Sequence, residues 1–144
     1  RQMCIRDSLW ADRGLNLAEA EKLARTALEQ DAKQKQKLKD DGKLDAVVES
    51  AAYLDTLGWA LFRQKKYAEA LPLLKKAAAD EDEGNHLEIW DHLADCHLAL
   101  GDAAAAVAAW EKGLKLDDVS RLDVERRKAV TAKLKKARAD AAKP

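Results

Sequence analysis

Three features of the sequence predict an all-α fold, a solenoid of antiparallel helix pairs closed by a C-terminal capping helix. Alanine supplies 29 of the 144 residues, against six Gly and two Pro, a balance that favours helix and leaves little turn chemistry for a sheet. The sequence also repeats itself at an offset of 36: Leu54, Asp55, Thr56, Leu57, Gly58 and Trp59 lie over Trp90, Asp91, His92, Leu93, Ala94 and Asp95. Within a copy the apolar positions recur three and four residues apart. Leu54, Leu57, Gly58 and Leu61, then Ala70, Leu71, Leu74 and Ala77, each follow the spacing of one helical face. The length suits one small domain and suggests no second core. No apolar run approaches the roughly 20 residues a membrane span needs. Lys+Arg and Asp+Glu balance at 26 each, which argues against a globally basic nucleic-acid binder.

Taken in chain order, residues 1–8 resemble the translation of a sequencing adapter and are expected to be a scar. That leaves the compartment undetermined, and with Cys4 set aside Cys96 has no intramolecular disulfide partner. Residues 9–30 are read as the remnant of a truncated repeat. Its second helix starts near Leu17, with Asn16 and Glu19 at capping-box spacing, and only residues 9–12 remain of its first helix. Residues 31–49, rich in Lys, Gln and Asp, form a charged helix extension ending near Asp40, Asp41 and Gly42, with a new helix expected from about Asp45. Complete helix pairs follow at 50–84 and 85–118. The first turns at Gln64, Lys65 and Lys66, the second at Gly101 and Asp102, where Gly suits a left-handed C-cap and Asp the next N-cap. Residues 119–144 make the cap helix and tail, with Ser120 and Asp123 as a capping pair and Leu122, Val130, Leu134 and Ala137 as a thin apolar stripe.

The combination of Leu57, Gly58, Ala70, Leu74 and Ala77 with its copy 36 residues on resembles the tetratricopeptide repeat. Departures from the family pattern are a missing Pro at the end of each unit, Gly113 where Ala is usual, His97 where an aromatic is usual, and two extra residues that fit the loop at 80–85. The resemblance implies a non-catalytic protein–protein interaction scaffold whose first helices line a concave surface for a peptide or protein partner. It makes Asp55, Trp59 and Phe62 in one unit, and Asp91, Asp95 and Leu98 in the next, the candidate contacts. The competing reading is that Trp59 packs against a neighbouring helix.

Other chemistry finds little support. His92 and Cys96 stand four apart on a helix with His86 and His97 nearby, but His97 points about 140° away from His92 and no ligand spacing converges, so no metal is expected. Asp91, Asp95 and Asp55 lack the companions of a catalytic site, so neither an enzyme nor a cofactor is expected. Charge is distributed unevenly: residues 81–118 carry ten acidic and two basic side chains, and 119–144 carry nine basic and three acidic. The cap helix should therefore be drawn onto the acidic repeat. The alternative, contact of Arg126, Arg127, Lys128, Lys133, Lys135 and Lys136, with Lys33, Lys35, Lys37 and Lys39, to nucleic acid or acidic lipid, lacks interleaved aromatics for base stacking. Two further readings are a structural C-terminal appendage of a larger enzyme or secreted lipoprotein, and self-association through the truncated N-terminal edge.

Overall fold

The sequence folds into helices because apolar residues at three- and four-residue spacing can all be buried on one face. The computed structural model describes residues 16–117 and 121–143. The expected scar at 1–8, the remnant at 9–12 and Ser120 lie outside them. Among the described residues there are six helices and no strand: α1 Leu17–Asp40, α2 Ala51–Arg63, α3 Tyr67–Ala79, α4 Leu87–Ala99, α5 Ala103–Leu114 and α6 Arg121–Ala141. They form a helical-repeat fold. The chain divides into two compact units at Ala77/Ala78, where one core was expected. The physical reason lies in the repeats, which bury their apolar faces against neighbours in sequence and need no common centre.

Three helices stop in the same way. The Lys43 N–H donates to Leu38 O, Lys66 to Leu61 O and Asp102 to His97 O, each a six-residue closure of the Schellman kind. The residue inside each closure is left-handed: Gly42 at φ +68°, Lys65 at +65° and Gly101 at +85°. Asp102 then accepts a hydrogen bond from the Ala105 N–H at 3.0 Å and starts α5. At the other end of the chain Asn16 departs from expectation. It is itself left-handed and makes no side-chain cap, and its carbonyl alone receives the Glu19 and Ala20 N–H groups.

In the first unit, α1 buries Ala20 and Ala24, and its apolar stripe gives way to a half-buried Asp31–Lys35 ion pair at 2.7 Å. Lys35 Nζ also donates to Val48 O at 2.7 Å, tying the connecting loop to α1. That tie, with the β-branched pair Val47 and Val48, moves the next helix start from the expected Asp45 to Ala51, after an extended Ser50. Glu21 secures α1 to the end of α2: it accepts from Gln64 Nε2 at 2.8 Å, Lys66 Nζ at 3.2 Å and Arg25 Nε at 2.9 Å. Hydrogen bonding from Gln64 is the main cause of its lowered pKa. Between α2 and α3 a Cβ at Gly58 would lie 2.7 Å from Leu74 Cγ, so these helices touch at a distance that only Gly allows.

In the second unit Leu87, Ile89, Leu93 and Ala94 of α4 and Ala106, Ala109 and Trp110 of α5 are buried. Here Gly113 is the close-contact position, with a Cβ site 2.8 Å from Trp90 Cβ and 2.9 Å from Leu87 Cδ1. The exchange is readable across the repeat. Ala51, Leu54 and Ala77 of the first copy become Leu87, Trp90 and Gly113 in the second, so bulk added on the first helix is taken off the second.

Candidate partner-binding surface

The six residues expected to meet a partner occupy very different environments. In the first unit Asp55 and Trp59 are 7% and 8% exposed. Trp59 stacks on Phe62 with ring centroids 4.6 Å apart, Phe62 meets Tyr67 at 5.2 Å, and the cluster includes Ala20, Ala60 and Leu17. The aromatics of α2 therefore fasten α1 to α2. In the second unit Asp91 is 4% exposed, Asp95 is half-buried and Leu98 is 44% exposed.

Asp91, itself buried, stands at the centre of a part-buried network. Its Oδ1 accepts from Trp110 Nε1 at 3.0 Å and Lys133 Nζ at 2.8 Å, and its Oδ2 from Arg126 Nη1 at 3.2 Å. Lys133 also reaches Asp95 Oδ2 at 2.8 Å, and Arg126 reaches Glu88 Oε1 at 3.2 Å. Spacing explains the match: Glu88, Asp91 and Asp95 recur at three and four residues on α4, while Arg126 and Lys133 are seven apart on α6, so both sets share a face. Burial raises the pKa of Asp91, but Lys133 outweighs it and holds the carboxyl below its ordinary 3.8. Burial and the neighbouring Asp91 push Asp95 above its ordinary value. Burial also lowers the Lys133 pKa, yet Asp91 and Asp95 together hold the ammonium above its ordinary range.

The charge asymmetry of the sequence is thus expressed inside the second unit. Arg127 donates to the carbonyls of Leu114 and Leu116 at 2.6 and 2.5 Å, capping the end of α5, and Arg138 pairs with Glu111. Three cations of the proposed basic surface, Arg126, Arg127 and Lys133, are engaged in this way. His92 is 1% exposed, and burial pushes the Cys96 thiol up to about 11, so both belong to the interior.

Beside this network a groove of about 480 Å³ opens between α4, α5 and α6. Leu98, Ala103, Trp110, Ala137 and Ala141 line it with apolar surface, and Asp95, Lys133, Lys136 and Asp140 supply its polar atoms. Asp95 and Leu98 are the two sequence candidates on it. The rest were not found from sequence, because residues of α6 enter only through its placement against α4 and α5. The charge match of α6 to α4 was the one signal pointing there.

Paired helices with equivalent turns, close-contact glycines and an apolar groove define a helical-repeat protein. A family model described as Tetratricopeptide repeat matches residues 61–134, more than half of the chain, and the chain belongs to that family. No curated protein matches it. Among solved structures it is similar to PcrH, seen in the crystal structure of PcrH in complex with the chaperone binding region of PopD, at 18% identity and a TM-score of 0.70, covering 97% of this chain and 91% of that one. It is also similar to a chain of a T3SS complex from Aeromonas hydrophila, at 17% identity and a TM-score of 0.60, covering 94% and 97%. Both likenesses are of fold.

Proposed function

We propose that this chain is a non-catalytic binding module that receives apolar side chains of a peptide or protein partner in the groove of its second unit. The observation that carries the reading is the groove itself: five apolar residues along its walls, Leu98 standing 44% exposed, and polar groups at hand to orient a bound segment. The use of a similar fold by PcrH, crystallised with the chaperone binding region of PopD, supports it. Asp95 and Leu98 are the contacts retained from the sequence-based candidates. Trp59, Phe62, Asp55 and Asp91 serve the packing of their own units. No catalytic role is assigned to the acidic residues, whose ionised oxygens are taken up by Lys133, Arg126 and Trp110.

The test is selection from a random peptide library on the intact chain, followed by titration of a selected peptide against two variants. Leu98→Glu places a charge on the apolar wall and Ala141→Trp, at an exposed lining position, fills the groove. Each should weaken binding by about tenfold or more, the equivalent of about 1.4 kcal/mol, with helicity by circular dichroism retained. Folded variants that bind with unchanged affinity would place the site elsewhere.

A further inference from the structure

Ion pairs as well as apolar burial hold α6 in place. Of its 21 residues the buried ones are Val130, Leu134 and Ala137. Against these stand the contacts of Arg126 with Asp91 and Glu88, of Lys133 with Asp91 and Asp95, and of Arg138 with Glu111. The cations are reached by solvent, with side-chain exposures of 27% for Arg126, 37% for Lys133 and 58% for Arg138. Salt screens the pairs that solvent reaches, the Debye length falling from about 10 Å at 0.1 M to about 3 Å at 1 M, and it acts most on the exposed Arg138–Glu111 pair and least on those of the buried Asp91. The apolar α4–α5 contact has no such sensitivity. Opening of the whole helix also avoids the penalty of stranding one charge, because Asp91 and Lys133 are rehydrated together. Finally, α6 is a wall of the groove, contributing Lys133, Lys136, Ala137, Asp140 and Ala141.

We infer that α6 is a charge-held strap that opens as a unit at high ionic strength while α4 and α5 stay paired, and that its closure assembles the groove. The second half of this inference, regulation of a partner site, rests on the binding function proposed above. A partner in the groove would bind the closed state alone, so partner binding and strap closure would reinforce each other.

Native-state hydrogen exchange on the intact chain, resolved by peptide and compared at about 0.1 M and about 1 M NaCl, tests the strap without any ligand. Amides at 129–141 should exchange about tenfold faster in high salt, with those of α4 and α5 keeping their protection. Lys133→Met, which leaves Asp91 its contacts with Arg126 and Trp110, should speed exchange in low salt and flatten the salt dependence. Leu134→Ala should speed exchange while the salt dependence stays. A single common rate for α4, α5 and α6 at both salt concentrations, or a rate at 129–141 indifferent to salt, would overturn the strap. A library-selected peptide should slow exchange at 129–141. If salt opens α6 but Leu98→Glu leaves that peptide's affinity intact, the strap stands and the groove reading fails.

Discussion

Two aspartates four residues apart on α4 share one lysine and are displaced in opposite directions. Asp91 accepts from Lys133, Arg126 and Trp110, and its carboxyl is held below the ordinary value; Asp95, half-buried beside that charge, is held above it. For Asp91 the folded form binds the proton more weakly than the unfolded chain, so its contribution is present above the ordinary 3.8 and is lost as pH falls through the folded value. For Asp95 the sign reverses, and ionisation above its folded value works against the fold. Asp91→Asn should therefore cost about 2 to 3 kcal/mol at neutral pH, and Asp95→Asn less than about 1 kcal/mol. Urea denaturation across pH checks both: the gap between wild type and Asp91→Asn should close in acid, and equal losses for the two variants would contradict the assignment. A second residue-scale prediction concerns Lys65, a non-glycine residue held at φ +65° in the position that Gly101 fills in the next repeat. The left-handed region costs an L-residue roughly 1 to 2 kcal/mol, so Lys65→Gly should stabilise the chain by about 1 kcal/mol, read as a higher thermal midpoint.

The helices themselves were largely legible, because each rests on local chemistry. The turn at Gly101 and Asp102 could be read from two residues, and the end of α1 from Asp40, Asp41 and Gly42. The start of α2 was not, since Asp45 offers a reasonable N-cap, and it is the β-branched Val47 and Val48 together with the reach of Lys35 to Val48 O, across 13 residues, that disfavour that option. The same limit applies to function. Asp55, Trp59 and Phe62 were assigned to a partner surface by resemblance to the repeat family, with packing of Trp59 against a neighbouring helix as the competing reading, and a resemblance does not say which helix lies opposite. α1 lies opposite Trp59, which is buried in that packing, while Phe62 stacked on it stays half-buried. The charge of α6 was visible, and its complementarity to α4 followed from counting. The groove beside it was not visible, because Ala137 and Ala141 carry no signal until Leu98 and Trp110 are set across from them.

Across the whole chain the two compact units suggest that damage should stay local. Gly113 offers a clean probe. In isolation Gly→Ala within a helix gains about 1 kcal/mol, yet the added methyl would meet Trp90 Cβ at 2.8 Å, an atom fixed to the α4 backbone that cannot swing aside, and Leu87 Cδ1 at 2.9 Å. Overpacking of this kind costs about 1 to 3 kcal/mol, so the expected net effect is a loss of about 1 kcal/mol. Such a loss in a single closed core would lower the protection of every amide that opens by global unfolding. In an array held by neighbour contacts it falls first on the repeat that carries it. Hydrogen exchange of Gly113→Ala should therefore show faster opening in α4 and α5, with α1 and α2, fastened by Trp59, Phe62 and Glu21, keeping their rates. An equal loss of protection in α1 and α2 would mean that the units unfold as one.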